Sequence, residues 1–221
     1  TPPAIDHENT FSNAANATLY VPEGTKADYE AATYWQDFGQ IVEMDMSNDV
    51  TIDGINYILD YDTHTATVTS GNYTGVIDIP LSVKKNGIDF VVTAIGDNAF
   101  RGSEVLRVNI PVSVTSIGSY AFAQCTNMND IKLPGSVTSI GEYAFIGCTG
   151  LTMVAIPSAT TVVSAHAFSG CTNLKTLYIH DEVTAIERGA FYNCPLTKVY
   201  CYADTPPAID HENTFSNAAN A

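Results

Sequence analysis

MNDIKLPGSVTSIGEYAFIGCTG, residues 128–150, reads as one complete turn of a stacked fold. Ile131 and Leu133 alternate with Lys132, the pattern of a short strand with one face inside. Pro134 has no amide proton and ends that strand. Val137 and Ile140 then point inward, Phe145 fills the core beside the small Ala144, and Cys148 closes the turn. The unit recurs. Phe122, Phe145, Phe168 and Phe191 lie 23 residues apart, as do Cys125, Cys148, Cys171 and Cys194, and as do Ile117, Ile140, Val163 and Ile186. A fixed period of this size marks one supersecondary unit copied and stacked, a solenoid.

The strand recurs as Ile77-Asp-Ile79, Val108-Asn-Ile110, Ile131-Lys-Leu133, Val154-Ala-Ile156, Leu177-Tyr-Ile179 and Val199-Tyr-Cys201. That predicts about six coils whose strands form a parallel sheet, with Leu19-Tyr-Val21-Pro22 as a detached seventh. The glycine after the isoleucine (Gly96, Gly118, Gly141) becomes Ser164 and Glu187, so this position does not require a positive φ.

The start of the array is irregular. Asn86-Gly87 between Val83 and Ile88 is a hairpin signal. Upstream, Ile55, Tyr57 and Leu59 alternate, and Ala66 and Val68 return, so residues 52–69 read as a second hairpin covering the first coil and its edge. The fold class expected is mainly β: a solenoid of about six 23-residue coils with a parallel sheet on one face, a hairpin cap and a short N-terminal strand-helix segment. Residues 1–42 are expected to form an end cap of a preceding unit, 43–72 the hairpin cap, and 73–221 the solenoid without its C-terminal lid.

Both ends carry the same words. TPPAIDHENTFSNAANA occupies residues 1–17 and again 205–221. Chance does not give seventeen identities, so a larger unit is repeated head to tail, either in the natural parent sequence or by the way this chain was assembled. Thr1 is not a natural start, and the chain reads as a piece of something longer. After the first copy, a strand at Leu19–Val21 precedes an expected helix with Thr25 and Asp28 as a capping pair and Ala31, Tyr34, Trp35 and Phe38 as its apolar stripe. This segment looks like a lid. Leu19, Tyr20, Val21, Tyr34, Trp35 and Phe38 are the candidate surface by which one molecule covers the end of another.

Net charge is −15, which argues against nucleic acid and against anionic membranes. The acidity is local: residues 1–62 carry twelve acids and one base, whereas residues 105–200 carry five of each sign. No run approaches the roughly 18 apolar residues of a membrane helix.

The run Ile-Pro-x-Ser-Val-Thr-Ser-Ile-Gly-x-x-Ala-Phe-x-x-Cys stands at Ile110–Cys125 and again, with Leu133 in place of the first isoleucine, to Cys148. It resembles the leucine-rich repeats of BspA-like bacterial surface proteins, the Treponema pallidum type, over about residues 73–221. The Asp53-Gly54 hairpin and the Leu-Tyr-Val-Pro segment with its Tyr/Trp helix also look like flanking pieces of that family. The resemblance implies a secreted or surface-anchored bacterial protein, adhesion or protein binding, and no catalysis. It carries over no site residue.

The chemistry-bearing residues point the same way. Five cysteines cannot all pair internally. Side chains in one register point the same way, which disfavours the disulfide dihedral of roughly 90°. A straight column cannot converge on zinc, and no CxxC is present. Buried free thiols follow, with Cys201 read as a further core position. Asp49–Asp60 has acids at positions 1, 5 and 12 of a calcium loop, but its strand alternation speaks against one. His7, His64, His166, His180 and His211 form no catalytic motif, and His166 falls in a column with Tyr120 and Tyr143. No cofactor and no metal site is expected.

The outward strand positions are Asn109, Lys132, Ala155, Tyr178 and Tyr200, flanked by Thr176 and Lys198, and Tyr20 would continue the column. Tyrosine and lysine suit protein or glycan contacts, although tyrosine also simply favours strands. The candidate ligand-binding set is Asn109, Lys132, Thr176, Tyr178, Lys198 and Tyr200. The expected function is extracellular binding of a protein or glycan; the alternative is a spacer in a tandem array.

Overall fold

A computed structural model describes residues 1–5 and 10–216. The chain divides into two compact units, Thr1–Ser47 and Asn48–Ala221.

In the first unit, β1 (Thr18–Pro22) pairs parallel with β2 (Gln40–Met44), with α1 (Lys26–Ala31) between them. Val21 and Ile41 are buried, while the aromatic cluster forms from Phe11, Trp35 and Phe38, with ring centroids 5.1 and 5.2 Å from Phe11. Trp35 Nε1 donates to Pro3 O at 2.8 Å. The helix differs from the sequence expectation. It ends at Ala31, and Tyr34 sits at φ 68, a left-handed value that breaks a helical path. Tyr34, Trp35 and Phe38 are therefore not a helical stripe. The expected cap is absent too: the Thr25 hydroxyl donates to Pro22 O at 2.6 Å instead of accepting from Asp28.

The second unit opens with a meander. β3 (Asp49–Ile52) and β4 (Ile55–Asp60) turn through Asp53 and Gly54 at φ 50 and 80, and β4 pairs antiparallel with β5 (Thr65–Val68). The expected hairpin is thus three-stranded and begins at Asp49. Next comes β6 (Thr74–Asp78), and then the Asn86-Gly87 hairpin joins β7 (Ser82–Lys85) to β8 (Ile88–Ile95) as its sequence predicts. β5 pairs parallel with β8, so the meander extends the solenoid's own ladder and shields the apolar edge there.

The coils follow: β9 (Glu104–Asn109), β10 (Ser116–Ile117), β11 (Ser139–Ile140), β12 (Met153–Ala155), β13 (Val162–Val163), β14 (Thr176–Ile179), β15 (Ala185–Ile186), β16 (Lys198–Cys201) and β17 (Ala208–Ile209). They form two stacked columns. One joins β6 to β9 and β12 to β14 to β16; the other joins β8, β10 and β11, then β13, β15 and β17. Both columns are built of parallel pairs, as expected, and each is interrupted along its length. The predicted strand at Ile131–Leu133 reduces to a single bridge, Asn109 to Lys132. The second column breaks between Ile140 and Val163. There Ser164 replaces the glycine, and its hydroxyl donates to Ile140 O at 2.6 Å, where Gly141 uses its backbone N–H on Ile117 O at 2.8 Å. A hydroxyl that reaches a backbone acceptor competes with the ladder.

The glycines of this column have ordinary φ, as expected, and are small for another reason. A Cβ on Gly141 would lie 2.5 Å from Ser119 N and 2.6 Å from Gly118 C. At Gly141 the coils approach too closely for a side chain, whereas Ser164 and Glu187 are accommodated at the same position of later coils.

The core is a stack of phenylalanines. Phe100, Phe122, Phe145 and Phe168 lie ring on ring at 5.0 Å with near-parallel planes, and Phe191 and Phe215 continue the stack at 5.5 Å. Burying each ring contributes roughly 1.5–3 kcal/mol. Beside it, Cys125, Cys148, Cys171 and Cys194 are buried free thiols. Cys201 is not buried, contrary to expectation. All four residues of β16 are exposed, and among the described residues β16 pairs with β14 alone.

Candidate binding face

The outward residues of the first column make two rows. Asp78, Asn109, Lys132, Ala155, Tyr178 and Tyr200 are in one register; Val76, Arg107, Asp130, Met153, Thr176 and Lys198 are in the neighbouring one. Alternation places both rows opposite the phenylalanine core.

The two ends of this face differ. Toward the N-terminal coils the polar groups satisfy one another. Asn109 Nδ2 donates to Asp78 Oδ1, and Arg107 lies 3.6 Å from Asp130. The ion pair is solvent-exposed, so it contributes little energy and chiefly occupies its two charges. Toward the C-terminal coils, Tyr178 and Tyr200 stack at 4.8 Å with planes 9° apart, and Thr176 stands in register with Lys198. Met153 and Tyr200 are exposed, at 51% and 42%. Among the described residues Lys132 and Lys198 make no ion pair.

Of the six residues singled out from sequence, the structure thus brings together Thr176, Tyr178, Lys198 and Tyr200. Asn109 and Lys132 lie together farther along the face, Asn109 already engaged by Asp78. Met153 escaped the sequence reading. It lies beside Thr176 in the outward row, and its signal was alternation with Val154.

A second feature lies at the coil corners. Tyr120, Tyr143 and His166 stack at 4.9 Å, and the Arg101 guanidinium sits 5.3 Å from the Tyr120 ring centre. All three stacked residues adopt left-handed φ of 55–59°, and Asn98 above and Gly189 below are left-handed too, at 57° and 63°. Such a conformation costs side-chain-bearing residues of order 1 kcal/mol, which the ring contacts offset. The rings face each other, so the ladder presents edges to solvent. The sequence signal was the mixture of Asn, Tyr, His and Gly at one position of the period, since Asn and Gly favour this φ.

The thiols hold no reactive geometry. Each donates to the carbonyl of a phenylalanine in the preceding coil: Cys125 to Phe100 at 2.9 Å, Cys148 to Phe122 at 3.0 Å, Cys171 to Phe145 at 3.3 Å and Cys194 to Phe168 at 3.0 Å. Burial pushes the Cys125 thiol up to about 12 and Cys148 well above its usual range. Cys171 is raised by its hydrogen bond with the Cys194 thiol and by burial. Asp49, Asp53 and Asp60 are spread along the β3–β4 hairpin, and among the described residues no three His, Cys, Asp or Glu side chains come together as metal ligands. Two shallow grooves of about 480 and 440 Å³ lie along Asp49–Thr51 with Asn56 and along Asp53 with Asn72 and Asp78, away from the tyrosine pair. No helix among the described residues is long and apolar enough to cross a membrane.

Comparison with known proteins agrees with this geometry. A profile of the BspA type leucine rich repeat region matches residues 93–220 in six copies. A leucine rich cell surface protein from Faecalibacterium prausnitzii superposes with a TM-score of 0.53 at 29% identity, over 75% of this chain. This chain spans 57% of that protein's length. The Treponema pallidum leucine rich repeat protein shares the fold, with a TM-score of 0.57 at 23% identity over 69% of this chain and 81% of its own. No curated protein matches. The chain belongs to the BspA-type leucine-rich-repeat family.

Proposed function

We propose that this repeat chain is a non-catalytic, surface-displayed module that binds a protein partner through the C-terminal end of its sheet face. The observation that carries the reading is the stacked Tyr178–Tyr200 pair, flanked by Met153, Thr176 and Lys198, on a face where Asn109 is already engaged by Asp78 and Arg107 by Asp130. Tyrosine, methionine and cationic side chains on a rigid support suit protein contacts, because little side-chain freedom is lost on binding. Surface display follows the family and the printed description of the Faecalibacterium relative.

The test is binding of Tyr178→Ala and Tyr200→Ala variants to proteins and to glycans of the surfaces this family contacts. Loss of at least tenfold in affinity for a protein ligand supports the reading. Unchanged binding removes the sheet-face site, and capture of glycans alone corrects the partner class.

A second reading rests on a different observation, the seventeen identities at an offset of 204 residues. A head-to-tail array of such units would act as a spacer. A two-unit chain that scatters X-rays as a stiff rod supports it, and a freely jointed pair contradicts it.

A further inference from the structure

β3 is the last strand of the sheet that runs β11, β10, β8, β5, β4, β3, and among the described residues it pairs with β4 alone. The register sets Val50 opposite Tyr57 and Ile52 opposite Ile55, and Leu59 N–H donates to Asn48 O at 2.9 Å. Bonds alternate along an antiparallel pair. Asn48, Val50 and Ile52 therefore turn their backbone groups to β4, and Asp49 and Thr51 turn theirs to the outer edge. Native edges are commonly blunted by lysine, proline or a bulge. β3, Asp-Val-Thr-Ile, carries none of these.

The two sides of this edge differ. Val50 and Ile52 point inward against the apolar core and are only partly buried. Asp49 and Thr51 point outward and are exposed, over the groove of about 480 Å³ that also takes in Asn56 and Ser70. The groove is held in shape by its own polar groups. Thr51 Oγ1 donates to Asn56 Oδ1 at 2.7 Å, and Asn56 Nδ2 donates to Ser70 O at 2.8 Å. The surroundings carry one sign of charge. From Asn48 to Val83 stand Asp49, Asp53, Asp60, Asp62 and Asp78, and no lysine or arginine. Such a field attracts cations and raises their local concentration.

We propose that β3 is a docking edge for an extended segment of a partner protein, taken up as a further strand. That segment carries basic side chains on its outward face and β-branched apolar ones on its inward face. Its backbone bonds the outward-turned groups of β3, Thr51 above all. Its apolar residues lie beside Val50 and Ile52 and complete their burial, and its cations lie beside Asp49 in the acidic field. Charge also excludes the obvious rival occupant. A second copy that paired its own β3 here would set aspartates against aspartates, which opposes the pairing. The edge lies in the N-terminal cap of the solenoid and needs neither Tyr178 nor Tyr200, so this site and the tyrosine face fail separately.

The probe is an end-capped octapeptide of alternating lysine and valine, added to the full chain at low salt. Its counterpart alternates glutamate and valine. NMR reads amide hydrogen exchange residue by residue. In the chain alone Thr51 should exchange freely, and Val50 and Ile52 slowly. The lysine peptide should slow Thr51 at least about tenfold, and the glutamate peptide should bind at least about tenfold more weakly. Thr51→Pro removes an outward N–H and no bond to β4, so the variant should keep its fold and lose at least about tenfold in affinity. Tyr178→Ala should bind the lysine peptide as the parent does. Slow exchange at Thr51 before any peptide is added overturns the proposal, because the edge is then already covered. So does a lysine peptide that fails to bind or leaves Thr51 unprotected, equal affinity for the two peptides, or a folded Thr51→Pro chain that binds as the parent does. Should Thr51→Pro fail to fold, exchange at Thr51 in the parent chain decides alone.

Discussion

The thiol of Cys148 donates to the carbonyl oxygen of Phe122, one coil back, at 3.0 Å. The bond repeats at three other coils, so the cysteine column is a polar ladder running beside the aromatic one. A buried carbonyl is thereby satisfied without a second backbone donor. The thiols belong to the core's hydrogen bonding.

Thiol reactivity should therefore be uneven. At pH 8 a disulfide reagent should modify Cys201 rapidly in the native chain, and Cys125, Cys148, Cys171 and Cys194 only after unfolding. Equal rates for all five would contradict the ladder.

Stability should fall in alkali. Cys125 is raised to about 12 from the ordinary thiol value of 9.0, and Cys148 and Cys171 are raised as well. The unfolded chain loses these protons first, so it binds fewer protons than the folded one as pH rises. The contribution is whole below pH 9 and declines from there up to about 12. Urea unfolding at pH 7 and pH 10 should show the midpoint drop, and replacing Cys148 by alanine should flatten the difference while costing about 1–3 kcal/mol at neutral pH.

Gly141→Ala should destabilise by about 1–3 kcal/mol, because the new methyl meets the backbone of Ser119 and Gly118 at 2.5 and 2.6 Å. Gly189→Ala should also destabilise, for two reasons: its φ of 63 and a Cβ that would lie 2.5 Å from the His166 ring. Thermal melts of the two variants check both expectations.

How much of this was legible in the sequence depends on what each feature answers to. The phenylalanine and cysteine columns were, because a strict period leaves each residue one place in the stack. The Asn86-Gly87 turn was, because its two left-handed residues favour those side chains. Cys201 was misread because period gives direction and only a covering neighbour gives burial. The helix after Thr25 was overextended because an apolar spacing cannot reveal that Tyr34 takes a left-handed φ. The break at Ser164 needed the 2.6 Å hydroxyl contact to be seen. The sheet-face residues were placed by alternation, whereas the pairing of Asn109 with Asp78 joins positions 31 residues apart and had no local signal.

The central claim is that each coil seals the apolar side of the next through the phenylalanine stack, with Phe145 lying 5.0 Å from both Phe122 and Phe168. Equilibrium unfolding of Phe145→Ala measures it directly. The account predicts a loss of about 3–5 kcal/mol, with the exposed Cys201 still reacting as before. A variant that unfolds at the parent's midpoint would contradict it.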